Sequence, residues 1–274
     1  MLLLVVNIIK KELVWFQNKR IKMSDLEEGI KYLEKYNNVR IDNKLTGFQA
    51  FRALMNITMP IDLSTDFYKL QDKIIQDEYE KKKIVLVDTL IPFNKSLYLY
   101  KGDITILKVS AIVNACNSKL LGCFHPLHNC VDNAIHSYAG LEVRRDLIKI
   151  MELQNHDEPT GECKVTNGYN LPSKYIFHTV GPIVNGVVTA NTKNELSNCY
   201  KNALKMADKM QLDSIAFPCI STGIYSFPNE IAAEIAIKSV KDYIKENNSK
   251  LKVVFVVYKD IDYLLYERKI KYDN

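Results

Sequence analysis

The chain has 274 residues, a length that suits one large domain or two small ones. Hydrophobic residues make up 47% and charged residues 25%, which excludes disordered, collagen-like and coiled-coil classes. The net charge of +5 comes from lysines and arginines interleaved with acidic residues, which weakly favours an anionic ligand and does not demand nucleic acid. The apolar residues 1–9 run directly into Lys10 and Lys11, so we expect neither a signal peptide nor a membrane span, but a cytoplasmic protein with reduced cysteines.

Up to about residue 83 the pattern is helical. Two capping boxes predict helix starts: Ser24 with Glu27, and Thr46 with Gln49. A third helix is predicted from Ser64, with Phe67, Leu70 and Ile74 on its inner face. We therefore predict a helical N-terminal extension over residues 1–83, without a chemical motif, packed on the remainder of the chain.

From residue 84 to 274, short β-branched runs alternate with amphipathic helices, which is typical of an α/β domain with a buried sheet. Strands are predicted over residues 84–87, 97–100, 111–114, 163–166, 175–180, 214–218 and 251–258. Helices are predicted over residues 131–153, 192–210 and 228–247, and from residue 261.

A loop over residues 122–130 concentrates metal-binding side chains: Cys123, His125, His128 and Cys130. Sulfur with imidazole is a donor set that zinc prefers. The C-x4-H-x-C spacing is not that of a standard zinc finger, so two buried cysteines beside two surface histidines remain the alternative. With both histidines bound the site would be closed and structural, whereas with one it would keep a fourth position for water or substrate.

Polar residues surround this loop in the sequence. Asn114 and Asn117 end a predicted strand, where side-chain amides suit sugar hydroxyls, although asparagine is also a common turn residue. Asp132 opens the next helix, either as a base or ribose ligand or only as a carboxylate favoured by the helix dipole. Arg144 and Arg145 are expected on a solvated helix face, and His136 and His178 are expected to lack functional partners.

Two further loops are candidates for a nucleotide. Residues 220–228 join a buried strand to a helix, and their backbone amides could converge on an anion. Their Tyr225 could stack on a base or pack as core. Asp103 could contact an exocyclic amine such as that of adenine, or could only cap a helix.

Taken in order, these motifs resemble the signature blocks of a macrodomain, at residues 102–105, 111–118, 131–136, 178–182 and 220–223. Most hydrolytic macrodomains carry a glycine-rich run before the block that contains Asp132. Here the cysteine–histidine loop replaces that run, as in the zinc-containing branch of the family, whose N-terminal helical extension is also similar. The resemblance covers about residues 45–270, and one departure is Cys116, which stands where alanine is usual.

The resemblance implies an α/β fold, a three-layer α/β/α macrodomain with a mixed central sheet and an N-terminal helical extension. It implies an enzyme that removes mono-ADP-ribose from modified protein side chains and releases ADP-ribose, with Asp and Glu esters as the expected linkages. The expected partners are thus a mono-ADP-ribosylated protein and ADP-ribose, with no membrane and no nucleic acid. A sirtuin-like transferase would add the mark, for example on a lipoyl-carrier protein, although nothing in these residues encodes that partner.

Carried over residue by residue, the resemblance implies one Zn²⁺ per chain, bound by Cys123, His128 and Cys130. His125 falls at a position that the family varies, so the site is expected to be open and catalytic. The implied ADP-ribose contacts are Asp103 and Ile104 at adenine, Ser221, Thr222, Gly223, Ile224 and Tyr225 at the diphosphate, and Asn114 and Asn117 in the same cleft. Asn117 and Asp132 would hold the distal ribose and are the candidate catalytic residues, with Asp132 either completing proton removal or only orienting the ribose.

Two rival functions compete with this hypothesis. The same cleft could bind ADP-ribose without hydrolysing it, as a reader module with a structural zinc, because a fold does not by itself imply catalysis. The loop could also be a structural zinc knot in a nucleic-acid-binding protein, but no basic–aromatic stripe supports that class. The intact metal loop favours the enzyme.

Overall fold

The computed structural model describes residues 25–93 and 96–272. Three helices come first: α1 over residues 25–37, α2 over Gly47–Ile57 and α3 over Thr65–Tyr79. Ser64 caps α3 by accepting a hydrogen bond from the Phe67 amide, as its position predicts. The predicted Ser24 cap lies outside the described residues. The helix start predicted at Thr46 is confirmed, since Thr46 is the N-cap of α2, but its capping box is wrong because the Thr46 side chain makes no cap hydrogen bond.

The α/β part contains eight strands and five helices in the described residues. The strands are β1 Val85–Leu86, β2 Leu97–Lys101, β3 Leu107–Lys108, β4 Ala111–Cys116, β5 Cys163–Asn167, β6 Tyr175–Val180, β7 Ser214–Phe217 and β8 Lys252–Val257. The helices are α4 Val131–Ala139, α5 Leu141–Gln154, α6 Ala190–Lys209, α7 Asn229–Asn247 and α8 Asp260–Tyr272. The single helix predicted over residues 131–153 is two helices, because Gly140 between them has φ +103, which favours glycine.

Six strands form the central sheet in the order β2-β8-β7-β4-β6-β5, and β1 pairs with β3 separately. Every neighbouring pair in the central sheet is parallel except β5 with β6, so the sheet is mixed, as predicted. Parallel strands bring their carboxyl ends to one edge of the sheet. In α/β folds this edge is where ligands bind.

Helices cover both faces of the sheet, which makes three layers. Along β8, Val254 and Val256 join a core formed with α1 to α5, whereas Val253 and Phe255 join a core formed with α6 to α8. The N-terminal helices thus share the first core with α4 and α5. The division of domains at residue 84 stays a prediction. No helix over residues 25–93 and 96–272 is long and apolar enough to cross a membrane.

Candidate ligand cleft and metal centre

The predicted site loops leave the carboxyl ends of adjacent strands. β4 lies between β6 and β7 in the sheet. The loop after β4 contains Asn117 and the cysteine–histidine run and ends at Cys130, the N-cap of α4. The loop after β7 contains residues 221–225. The topology therefore brings two loops to the same edge of the sheet: the metal loop, residues 117–130, and the anion loop, residues 221–225.

Three side chains of the metal loop converge. The ligand atoms of Cys123, His128 and Cys130 all lie within 4.8 Å of one another, and Cys123 Sγ is 3.6 Å from His128 Nδ1. The His125 ring centroid lies 6.0 Å from that of His128, and His125 is not part of the converging group. Two thiols and one imidazole suit Zn²⁺ and leave a fourth coordination position. The residues present therefore fit the metal that the sequence predicts.

The thiol of Cys130, at the start of α4, lies where burial favours its protonated form. Burial raises the pKa of Cys130 to about 12, the Asn133 amide opposes this shift, and the nearby Cys123 and Asp132 reinforce it. Bringing two thiolates together at this position is unfavourable unless a bound cation offsets their charge. The Asn133 amide donates to Cys130 Sγ at 3.4 Å and fixes this thiol at the helix N-terminus.

A buried polar cluster adjoins the metal loop. Asn114 Nδ2 donates to Asp132 Oδ1 at 2.8 Å and lies 3.3 Å from His178 Nδ1. Both protons of the Asn114 amide are then used, so His178 Nδ1 accepts and the proton sits on Nε2, 2.9 Å from Thr166 Oγ1. His136 Nε2 lies 3.4 Å from the same Asp132 oxygen. The hydrogen bond from Asn114 orients the Asp132 carboxylate, whereas His136 Nε2 lies near it without a hydrogen bond.

Burial sets the charge states in this cluster. It raises the pKa of Asp132 to about 6, although the hydrogen bond from Asn114 and the charge of Arg144 act in the opposite direction. Burial also lowers the pKa of His178 to about 3, and it lowers that of His136 well below the ordinary value, helped by Arg144. Both imidazoles are therefore neutral near pH 7, beside a carboxyl group that ionises near neutral pH.

The expectation that His178 lacks a partner is wrong, because its ring contacts Asn114 and Thr166. His136 lies near Asp132, but neither of its ring nitrogens makes a hydrogen bond among the described residues. Two signals point to these positions. Asn114 and His178 are direct partners in the register of β4 with β6, and Asp132 and His136 are four residues apart on one helix face. Both signals require the strand pairing or the helix start to be known first.

The expectation of a solvated Arg144 is also wrong, since only 1% of this residue is exposed. Its guanidinium donates to three backbone carbonyls, those of Leu121, Met55 and Thr58. It also lies under the Phe124 ring, 4.4 Å from the centroid. Arg145, by contrast, is half-buried and pairs with the neighbouring Asp146, close to the expectation.

The anion loop after β7 contains a buried polar atom without a partner. Ser221 has φ +65, and its Oγ has no hydrogen-bond partner among the described residues. A Cβ on Gly181 would lie 2.0 Å from this Oγ, so only glycine fits opposite it. A Cβ on Gly223 would meet nothing within 4 Å, so the backbone there faces open space. A ligand oxygen could satisfy the Ser221 hydroxyl.

The remaining residues of the anion loop are one exposed side chain and two residues held by hydrogen bonds. Ile224 is 76% exposed. Thr222 Oγ1 donates back to the Cys219 carbonyl at 3.1 Å. The Tyr225 carbonyl accepts from the Val184 amide at 2.9 Å, which ties this loop to the segment after β6. Burial raises the pKa of Tyr225, and the charges of Cys116 and Asp132 add to the shift.

Asp103, which the sequence offered as an adenine contact or a helix cap, is a helix cap in the structure. Its carboxylate accepts from the Thr105 amide at 2.9 Å and from Lys82 Nζ at 3.0 Å. Burial acts to raise the pKa of Asp103, but Thr105 and Lys82 outweigh it and hold the pKa below its ordinary value. The side chain of Ile104 is buried in the core, so any adenine contact would come from its backbone.

Asn117 is engaged within the metal loop. Its Nδ2 donates to the Gly122 carbonyl at 3.2 Å, and its Oδ1 accepts from the Lys119 amide at 3.0 Å. These bonds brace the loop and are not made to Asp132. The pairing of Asn117 with Asp132 on a ribose therefore stays a prediction.

A second concavity, of about 1250 Å³, lies at the opposite edge of the sheet. It is lined by residues at the amino ends of the strands, including Ser110, Lys174 and Ser214. None of the predicted site residues lines it. This concavity is therefore separate from the metal loop and the anion loop, which lie at the carboxyl ends of the strands.

The chain matches known macrodomains in sequence and structure. The Macro domain family model matches residues 113–236. The chain is 44% identical over 221 residues to a protein-ADP-ribose hydrolase of Treponema medium, covering 79% of this chain and 85% of that protein. It is 42% identical over 227 residues to a protein-ADP-ribose hydrolase of Staphylococcus aureus strain MRSA252, covering 82% and 85%.

Two solved structures show the same likeness. The Oceanobacillus iheyensis macrodomain with ADP superposes with a TM-score of 0.60 at 40% identity, covering 67% of this chain and 95% of that one. The Trypanosoma brucei macrodomain in complex with ADP-ribose gives a TM-score of 0.61 at 29% identity, covering 80% and 94%.

Proposed function

The chain belongs to the macrodomain family, and on that premise we propose that it hydrolyses mono-ADP-ribose from modified protein side chains and releases ADP-ribose. The relatives named protein-ADP-ribose hydrolase, 44% and 42% identical, support the hydrolase activity. We further propose that the enzyme depends on zinc and that its substrates are Asp and Glu esters. The observation that carries the zinc proposal is the convergence of Cys123, His128 and Cys130 within 4.8 Å at the start of the helix that contains Asp132.

Two unsatisfied buried atoms support the proposed binding of ADP-ribose. Asn114 Oδ1 and Ser221 Oγ have no hydrogen-bond partner among the described residues. Such atoms cost free energy unless a ligand or water satisfies them. We assign Asn114, with Asn117 and Asp132, to the distal ribose. The backbone amides of residues 221–225 are assigned to the diphosphate, and Asp103 with the Ile104 backbone to adenine.

The proposed chemistry divides between the metal and the carboxylate. A zinc ion held by Cys123, His128 and Cys130 would supply Lewis acidity at the scissile ester through its fourth position. Asp132 accepts the Asn114 hydrogen bond at Oδ1, which leaves Oδ2 for a proton of the ribose or of a water molecule. Because burial raises its pKa to about 6, Asp132 is ionised near pH 7 yet basic enough to accept that proton.

The test is release of ADP-ribose from a carboxylate-linked mono-ADP-ribosylated protein, with an arginine-linked protein as the comparison. The proposal predicts turnover of the ester only. Asp132→Asn should lower kcat by about 100-fold or more if the carboxylate accepts the proton, and mainly raise KM if it only orients the ribose. Binding of ADP-ribose without release from either protein would make the chain a reader module with a structural zinc.

For the ADP-ribosylated substrate, only a class of protein is proposed. We propose that a sirtuin-like transferase adds the mark to a lipoyl-carrier protein, on the strength of the resemblance to the zinc-containing branch. A lipoyl-carrier protein modified in this way should lose its ADP-ribose faster than an equally modified unrelated protein. Equal rates would remove the support for this partner.

A further inference from the structure

The metal loop is anchored from outside itself. It has left-handed backbone at Leu120, Gly122 and Leu127, with φ of +59, +87 and +56, and no strand or helix over residues 117–130 holds it in place. Three metal ligands must nevertheless be held close to their bonding geometry. Asn117 braces the loop from within, and residues 157 and 158 contact Ser118. The remaining contacts from outside the loop, which fix residues 121–130, come from helices α2, α4 and α5.

The most direct contact comes from Asn56 at the end of α2. Only 1% of Asn56 is exposed, and its Oδ1 accepts the amide hydrogen of Leu127 at 2.9 Å, next to the ligand His128. Its Nδ2 donates to Ser137 Oγ at 3.0 Å on α4. One side chain of the N-terminal helices therefore joins the turn that carries His128 to the helix that Cys130 caps.

Arg52, one turn earlier on α2, supports the other side of the loop. It donates to Asn133 Oδ1 at 2.7 Å and to Ser137 Oγ at 3.0 Å. Asn133 Nδ2 then donates to the His125 carbonyl at 3.0 Å, while the Asn133 amide donates to Cys130 Sγ. A continuous chain of hydrogen bonds thus runs from α2 to the thiol of one predicted ligand.

Arg144 on α5 holds the part of the metal loop next to Cys123. Its guanidinium joins the Leu121 carbonyl in the loop to the Met55 and Thr58 carbonyls at the end of α2. The same guanidinium packs against Phe124, the residue after Cys123. At the end of α2 the Met55 carbonyl also accepts the Thr58 amide, so the guanidinium adds a second donor there and supplies one to the Thr58 carbonyl.

We propose that α2 is a positioning element of the metal centre, with Asn56 as its principal positioning residue. It fixes the backbone on either side of His128 and Cys130, so that the three donors are preorganised for one tetrahedral cation. The inference rests on the proposed function, because it takes the loop to be a zinc site. It gives the N-terminal helices a role in the chemistry, where the sequence showed no chemical motif.

The experiment measures zinc affinity and cobalt spectra on the full chain. Zinc dissociation constants are obtained by competition with a chromophoric chelator, and the Co²⁺-substituted protein reports ligand geometry through its visible bands. Asn56→Leu removes both hydrogen bonds at similar volume. It should weaken zinc binding by about 10–100-fold and reduce or shift the tetrahedral Co²⁺ bands.

The matched control is Asn202→Leu. Asn202 lies on α6, away from the loop, and its Nδ2 makes a comparable bond to the Gly161 carbonyl at 2.8 Å. The control should lose stability without any change in zinc affinity or Co²⁺ bands. If Asn56→Leu does not fold, Arg52→Met replaces it and should weaken zinc binding in the same direction.

The outcomes separate this inference from the proposed function. If the unmodified protein binds zinc and Asn56→Leu and Arg52→Met both match its affinity and Co²⁺ bands, the positioning role is overturned and the hydrolase proposal stands. If the protein without substitutions binds neither zinc nor cobalt, the positioning role and the proposed zinc dependence are both overturned, while the hydrolase proposal is tested separately by release of ADP-ribose. Weakened binding in Asn202→Leu as well would show a general effect of lost stability and would also overturn the positioning role.

Discussion

The two faces of the central sheet are covered by different kinds of buried side chain. Beneath α1 to α5 the interior includes many polar and charged side chains: Asn56, Gln71, Asp132, Asn133, His136, Glu142 and Arg144. Beneath α6 to α8 the buried side chains are mainly apolar, with Ser239 and Asp262 among the exceptions. The apolar face stabilises the sheet through burial of surface. The polar face holds directional contacts, and the candidate site is on that side.

Arg144→Met is expected to have the largest effect on the polar face. It removes the guanidinium that donates to the Leu121, Met55 and Thr58 carbonyls, of which Met55 keeps the Thr58 amide, and should lower the free energy of unfolding by about 3–5 kcal/mol. Zinc affinity should fall as well, because the loop loses an anchor. Urea denaturation and chelator competition measure the two effects. Arg144→Lys, which cannot span three carbonyls, should recover only part of either.

Phe217→Ala makes the matched test on the apolar face. Phe217 is fully buried on β7 and packs 5.0 Å from the Tyr200 ring centroid. Its truncation should also cost about 3–5 kcal/mol of unfolding free energy. Zinc affinity should nevertheless remain that of the unmodified protein. An equal loss of zinc affinity in Phe217→Ala and Arg144→Met would break the distinction between the two faces.

The difference between the apolar and the polar face also explains which elements could be predicted from the sequence. On the apolar face, periodicity predicts α6 and α7 to within two residues, and β6 is predicted over its observed range. These elements depend on local patterns of apolar residues. The three-layer α/β/α fold with a mixed sheet is confirmed, as the resemblance implied.

The polar face could be predicted only in part. The metal loop is visible as a run of cysteines and histidines, because its three converging side chains lie within eight residues. Arg144 gave no sign of burial, since it adjoins Arg145 and its partners include the Met55 carbonyl, 89 residues away. Its contacts depend on how α2 and α5 pack, which no local pattern encodes. His178 was missed for the same reason, because its partner Asn114 is defined by strand register.

His178→Phe should act on activity more than on stability. An aromatic ring is kept at this position, but Asn114 Nδ2 loses one of its two acceptors, so the amide is less firmly oriented towards Asp132. We expect kcat/KM for the ester substrate to fall by about tenfold or more, the equivalent of one lost hydrogen bond. Steady-state kinetics measure the change in kcat/KM, and a separate denaturation curve measures the change in stability. Thr166→Val, one bond further out, should produce a smaller loss in the same direction, and unchanged kinetics in both variants would contradict this role.

The smallest expected effect concerns Glu142 on α5. Burial raises its pKa to about 7, although the hydrogen bond from Gln71 Nε2 at 2.8 Å opposes the shift. The folded state thus holds this proton more tightly than the unfolded chain. Its ionisation reduces stability, with the full cost above about pH 7 and progressive relief as the pH falls towards 4.5.

Glu142→Gln removes this ionisation while keeping an acceptor for Gln71. It should raise the free energy of unfolding at pH 8 by on the order of 1 kcal/mol and give no gain at pH 5. Paired denaturation curves of the two proteins at each pH isolate this group from the other titrating residues. A gain of the same size at both values would contradict the assignment.

We propose that the cysteine–histidine loop holds an open, catalytic metal site with three protein ligands. This proposal is tested by comparing bound zinc and ADP-ribose release from an ester-linked protein in the wild-type chain, in His128→Ala and in His125→Ala. We expect His128→Ala to lose both zinc and turnover, whereas His125→Ala should keep both. Full turnover in a zinc-free His128→Ala protein, or loss of zinc in His125→Ala to the same extent, would contradict it.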